Sequence, residues 1–186
     1  KSNLIKEQLK KIKIGIVIKL DTLENQANNV FIAIGSNLGN RKFNIEKAKF
    51  YLNQNKIQFI SISNYYETPS WPDSRKPKFL NVVLKISCDY DSIVLLKICK
   101  QIEIKLGRKK NIKNSPRTCD IDIIDFNGLI SNKEITLPHP LMHKRNFVLF
   151  PLFEIEKNWT HPIFKIDVKK LIFLLPNKDI RSIKQI

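Results

Sequence analysis

Ser115-Pro116-Arg117-Thr118-Cys119-Asp120-Ile121-Asp122-Ile123-Ile124-Asp125 sets an arginine and two carboxylates in fixed register on what reads as a buried strand. The residues after Arg117 alternate polar with apolar, so Asp120 and Asp122 share one face while Ile121 and Ile123 share the other. Carboxylates at the i, i+2 spacing of a strand stand about 5 to 7 Å apart. They repel, and burying them is costly unless a cation or proton compensates. Magnesium suits such a pair, because it takes oxygen ligands and bridges one or two carboxylates to substrate phosphates. A lone Asp-x-Asp is more often the solvated face of an edge strand; the apolar flanks and Pro116-Arg117 weigh against that here.

Working outward, Asp89-Tyr90-Asp91-Ser92 carries helix-start residues. Ile93, Leu95, Leu96, Ile98, Cys99, Ile102 and Leu106 then keep a 3.6-residue period to the Gly107 stop. Phe79 to Cys88 and Ile57 to Tyr66 read as strands, separated by a proline-rich loop from Thr68 to Lys78. Val30-Phe31-Ile32-Ala33-Ile34 is a buried first strand ended by Gly35-Ser36-Asn37. A helix over roughly 41 to 54 follows, with Asn40 as its cap and Phe43, Ala48, Phe50 and Tyr51 as its apolar stripe. Downstream, Asn127-Gly128 makes a hairpin-type turn, Glu134 to Leu137 returns as a short strand, and helices over roughly 141 to 156 and 167 to 175 close the domain, the second capped by Asp167. Strand, helix, strand, strand, helix, strand is the split βαβ order, so the expected fold is α+β, ferredoxin-like, with a mostly antiparallel sheet and helices packed on it.

Composition narrows the partners. The chain has 186 residues and 42% apolar content, enough for one domain with a real core. Five glycines, with neither a Walker loop nor a Gly-x-Gly-x-x-Gly, exclude a glycine-built phosphate cradle. Thirty-three Lys and Arg against 17 Asp and Glu give a net charge of +16, which concentrates anions near the surface. Cys88, Cys99 and Cys119 sit in apolar settings without a paired spacing and read as reduced core residues. His139 and His143 have helical metal spacing, but Pro140 lies between them and no third ligand accompanies them. No apolar run approaches the roughly 20 residues of a membrane span, and a cytoplasmic location is expected. Residues 1–29 read as a basic N-terminal extension and 30–186 as the domain.

Gly107-Arg108-Lys109-Lys110, Arg117, His139 and Arg145 surround the acidic pair, and arginine matches phosphate geometry with a charged fork. Ala33-Ile34-Gly35-Ser36-Asn37-Leu38-Gly39, Tyr66-Glu67-Thr68-Pro69 with Phe79-Leu80-Asn81, Pro116 to Ile123, Pro138-His139-Pro140 and Arg145 to Leu152 occur in that order. Together they resemble the 6-hydroxymethyl-7,8-dihydropterin pyrophosphokinase family over about Val30 to Asn158. Three positions depart from the family pattern: Ser115 where Gly or Ala is usual, Asn114 where some members carry tryptophan, and Pro140 where some carry tyrosine.

The resemblance implies transfer of pyrophosphate from ATP to a pterin alcohol in folate biosynthesis, with AMP released. It implies that Asp120 and Asp122 hold two Mg2+ ions and that Arg108 and Arg117 steady the transferring group. Glu103, Lys110, Arg117, Ile123, Thr136, His139 and Arg145 would serve ATP. Thr68, Pro69 and Asn81 would read the pterin edge, with Phe79 and Phe147 stacked on its faces. A monomer is expected, with ATP and the pterin as its ligands. An RNA-recognition role is disfavoured because acidic side chains occupy the sheet face that RNA would use.

Overall fold

The computed structural model describes residues 27–70, 73–108 and 115–186. Lys110, Trp71 and Asn114, with most of the loop from Arg108 to Pro116, lie outside them.

The first strand, β1 (Asn28–Ser36), starts two residues inside the expected extension and is buried on both faces, as its unbroken apolar run requires. Helix α1 (Arg41–Gln54) begins where the Asn40 side chain accepts the Phe43 N–H at 3.1 Å. Its buried stripe is Ile45, Ala48 and Leu52; Phe43 and Phe50 point outward, a correction to the stripe expected from sequence. The run from Ile57 to Tyr66 is two strands rather than one, β2 (Gln58–Ile62) and β3 (Tyr66–Thr68), both paired with β4 (Phe79–Cys88). Between them the Ser63 hydroxyl accepts the Val83 N–H at 3.0 Å, taking the place of a ladder bond.

Asp91 accepts the Ile93 and Val94 amides at 2.9 and 2.8 Å and starts α2 (Ser92–Lys105). Gly107, at φ +87°, lies just beyond its end, a backbone conformation that costs glycine little. Strand β5 (Asp120–Phe126) follows, then the small β6 (Ser131–Asn132) and β7 (Thr136–Leu137) hairpin. A 3-10 turn at Met142–Lys144 precedes α3 (Asn146–Ile155), where one longer helix was expected. The Asp167 side chain accepts the Lys170 N–H at 2.8 Å and caps α4 (Val168–Phe173). Two further elements, α5 (Asn177–Ser182) and β8 (Lys184–Gln185), escape the sequence reading because neither buries an apolar side chain.

The main sheet has six strands in the order β5-β1-β4-β3-β8, with β2 also on β4, and every recorded pairing is antiparallel. This is the ferredoxin-like arrangement. One face packs on α1 and α2 through Val30, Ile32, Ile34, Leu84, Ile121 and Ile123. The other packs on α3 and α4 through Phe31, Val83, Ile124, Leu149 and Leu152. Each fully buried aliphatic side chain contributes roughly 1.5–3 kcal/mol before chain entropy is counted. Strand β5 lies at the sheet edge, and His139 N donates to the Ile124 carbonyl at 2.9 Å on its outer side. Asp125 is structural: it accepts from Trp159 Nε1 at 2.8 Å and Gly128 N at 3.0 Å in a buried position.

Candidate active site

Helices α3 and α4 cover only part of their face of the sheet, and the remainder is the floor of a cavity of about 230 Å³. Cross-strand register sets that floor. Asp120 stands opposite Gly35, and Gly35 opposite Asn81; Asp122 stands opposite Ala33. A carboxylate and a carboxamide therefore share one row, about 10 Å apart by the spacing of neighbouring strands, with no side chain between them. The glycine is needed there: a Cβ on Gly35 would lie 2.9 Å from Asn81 Oδ1 and 3.3 Å from Phe79 Cδ1.

The carboxylate end is crowded with cations. Asp120 accepts from Arg108 Nη1 at 2.6 Å and Arg117 Nη1 at 2.8 Å. Burial disfavours its charge, but Arg117, Arg108 and Lys100 outweigh that and hold its pKa below the ordinary aspartate value. Asp122 accepts from Arg145 Nη1 at 3.3 Å, with His139 Nε2 at 3.8 Å. The compensation expected for the pair comes here from arginine, through single Nη1 contacts of Arg108 and Arg117 with Asp120 and of Arg145 with Asp122. Burial, and then Arg145, push the His139 pKa down against the pull of Asp122, so its imidazole is neutral at pH 7. Among the charged side chains lining the cavity, Lys100, Arg108, Arg117 and Arg145 outnumber Asp120 and Asp122. With Glu103 paired to Lys100 and Arg108 from beneath, a small positive excess remains and favours an anion there. The acidic pair offers hard oxygen donors, and no cluster of three or more His, Cys, Asp or Glu suited to a metal occurs among the described residues. That donor set fits magnesium shared with a phosphate rather than a metal caged by protein alone.

Glu103 lies beneath this end, 1% exposed. Its carboxylate accepts from Ile121 N at 2.7 Å and Lys100 Nζ at 2.8 Å, and pairs with Arg108 Nη1 at 2.5 Å. Burial raises its pKa, although Lys100 draws it down. Glu103 therefore anchors two cavity-lining cations from beneath and is not itself among the lining residues. The Ile123 side chain faces the helix-packed core. Thr136 is exposed on β7 away from the cavity lining.

The amide end is the more apolar one. Phe79, Phe147 and Pro69 line it, and Asn81 Nδ2 donates to Thr68 Oγ1 at 3.1 Å, which fixes the amide's orientation. Thr68 itself faces a neighbouring cavity. Ten predicted residues thus meet in one cavity: Pro69, Phe79, Asn81, Arg108, Arg117, Asp120, Asp122, His139, Arg145 and Phe147. The sequence reading missed Lys100, Ala33 and Gly35 as lining residues. It also missed Asn37, which is 3% exposed. Asn37 accepts the Arg117 N–H at 2.7 Å and donates to Ser70 Oγ at 3.2 Å and the Pro77 carbonyl at 3.1 Å. One buried amide thereby joins the loops on either side of the cavity. His143 turns away from His139 and packs edge-on against Phe164 and His161.

The family model for 7,8-dihydro-6-hydroxymethylpterin-pyrophosphokinase (HPPK) matches residues 31–157. Folic acid synthesis protein FOL1 of Dictyostelium discoideum is 40% identical over 156 residues, covering 82% of this chain and 23% of that protein. The 2-amino-4-hydroxy-6-hydroxymethyldihydropteridine pyrophosphokinase of Aquifex aeolicus is 37% identical over 142 residues, covering 76% of this chain and 88% of its own. Wild-type HPPK-DHPS of Plasmodium falciparum shares the fold at a TM-score of 0.64 and 14% identity, over 87% of this chain and 45% of that one. The chain thus spans about a quarter of the Dictyostelium protein and under half of the Plasmodium one. Sequence motifs, fold and cavity agree, and the chain belongs to the 7,8-dihydro-6-hydroxymethylpterin-pyrophosphokinase family.

Proposed function

We propose that this chain transfers pyrophosphate from ATP to 6-hydroxymethyl-7,8-dihydropterin in folate biosynthesis, releasing AMP. The observation that carries the reading is the Asp120–Gly35–Asn81 row. It sets a cationic, carboxylate-bearing end and an aromatic, amide-bearing end about two strand spacings apart on one bare floor, the layout a polyphosphate beside a flat heteroaromatic alcohol requires. Phe79 and Phe147 stack on the pterin and Asn81 reads its edge. The hydroxymethyl oxygen attacks the β-phosphorus in line; the new O–P bond forms as the bridge to the α-phosphate breaks, its electrons leaving with AMP and the alcohol proton passing to solvent. Arg108, Arg117 and Arg145 compensate the charge on the transferring group, and Lys100 adds to the phosphate-side field. Two Mg2+ ions on Asp120 and Asp122 would supply charge neutralisation and a more acidic hydroxyl. Neutral His139 contributes a hydrogen bond rather than a charge.

Residues 30–186 form the functional domain and act as a monomer, without a nucleic-acid partner. No helix among the described residues is long and apolar enough to cross a membrane. Three free, buried cysteines support a reducing, cytoplasmic setting. The test is AMP formation measured chromatographically with each substrate omitted in turn. AMP that requires both the pterin and magnesium supports the assignment, and AMP formed equally without the pterin overturns it.

A further inference from the structure

Residues 176–186 lie beyond the stretch matched by the family model, yet they bond to the segments that carry both walls of the ring end of the cavity. Strand β8 pairs with β3, setting Gln185 opposite Tyr66 and Lys184 opposite Glu67, and Ile186 N donates to the Tyr65 carbonyl at 2.9 Å. Strand β3 ends at Thr68, which holds Asn81. On the other wall, Asn146 is 7% exposed, and its Nδ2 donates to the Asp179 carbonyl at 2.6 Å and to Ser182 Oγ at 3.1 Å. The same side chain's Oδ1 accepts the Phe147 N–H at 2.7 Å. One buried amide therefore joins α5 to the backbone of Phe147, between two cavity-lining residues, Arg145 and Phe147. A second cavity of about 360 Å³ shares Pro69, Arg145 and Phe147 with the first and is closed by Pro176, Lys178 and Asp179.

We propose that residues 176–186 form a strap that positions Phe147 and the Thr68–Asn81 pair against the pterin ring, with Asn146 as the positioning residue that couples the strap to the site. The proposal rests on the pyrophosphokinase reading above. Phe147 is the wall between two cavities, so it has space to move when its tether is cut, and ring stacking is sensitive to such displacement. Arg145 keeps its partners Asp122 and His139. The defect is therefore confined to pterin binding.

Three variants of the full chain test this: Asn146→Ala, a chain ended after Leu175, and both changes together. Asn146→Ala raises the pterin KM about tenfold, as the loss of a buried hydrogen-bond pair implies, and truncation, which also frees β3, raises it at least as much, while kcat and the ATP KM stay within about twofold. The combined change is no worse than truncation alone, because both cut the same tether. A lowered melting temperature with unchanged pterin KM, or additive KM effects, overturns the proposal. If the truncated chain does not fold, Ser182→Ala replaces it; it keeps the Asp179 carbonyl contact and is expected to give a smaller rise than Asn146→Ala, and an equal or larger rise counts against the strap. Amide exchange at Phe147 separates the two readings. Absence of AMP from the intact chain sinks the activity, whereas unchanged Phe147 exchange in the truncated chain or in Ser182→Ala, both of which keep the Asn146 acceptor, sinks the strap.

Discussion

Replacing Glu103 with alanine tests whether the cavity's cations are held from below. The carboxylate is buried and satisfies one backbone amide, Ile121 N, with Lys100 and Arg108 as its charged partners. Loss of an acceptor from a buried N–H costs about 1–3 kcal/mol, and the cavity left by the side chain adds about 1 kcal/mol. Broken buried ion pairs cost about 3–5 kcal/mol, but little of that applies here. Arg108 keeps Asp120 at 2.6 Å, and Lys100 is 43% exposed and can turn to water. Relief of the buried charge offsets a further part. The net expectation is about 2–4 kcal/mol, which at roughly 2–4 °C per kcal/mol for a chain of this size lowers Tm by about 4–16 °C. Glu103→Gln keeps an acceptor for Ile121 N and should cost about half as much. The assay is thermal melting at pH 7 beside urea titration, with the m-value checked for constancy. A Glu103→Ala melting point within 2 °C of wild type would refute the anchoring role and return Glu103 to a role toward ligand alone.

Four further outcomes follow from the same geometry. Asp122→Ala should fold normally yet lose at least about a hundredfold in kcat, read as AMP formation at saturating magnesium; retained turnover removes Asp122 from the metal assignment. Arg117→Ala should lower kcat more than it raises the ATP KM, whereas a change confined to KM demotes Arg117 to binding. Gly35→Ala should raise the pterin KM in titration calorimetry or kinetics, because its new methyl meets the Asn81 amide; unchanged binding means the amide has room to retreat. His161 supplies the pH test. Burial, with a smaller contribution from His143, lowers its pKa from 6.5 to about 4, and its Nδ1 accepts from Ile163 N and Phe164 N. The unfolded chain binds the extra proton between those values, so this stability is complete above about pH 6.5. It falls away toward pH 4, by up to about 3 kcal/mol. His161→Asn, which keeps an acceptor, should flatten that slope in melts taken across the range; an unchanged slope assigns it to other groups.

Alternation along β5 made the shared face of Asp120 and Asp122 legible, and caps at Asn40, Asp91 and Asp167 fell where short polar side chains precede apolar runs. The same alternation sends the Ile123 side chain to the core. Phe43 and Phe50 misled because helix faces are chosen by packing against the sheet, and their ring area is exposed, with Lys47 over Phe43. Lys100 was legible in part: a lysine three residues before Glu103 within an apolar stripe signals a buried partner. Ala33 and Gly35 carry their signal as small residues at i, i+2 within an apolar run. Their function emerges only once register sets them between Asp120 and Asn81. The strap had no such signal, since α5 and β8 are polar and held by hydrogen bonds from distant residues.

Phosphorus NMR of the chain with ATP, magnesium and 6-hydroxymethyl-7,8-dihydropterin, run beside Asp122→Ala, bears most directly on the activity. AMP together with a pterin diphosphate is expected, both absent with the variant. ADP with a pterin monophosphate, or intact ATP from a folded protein, would contradict the proposed activity.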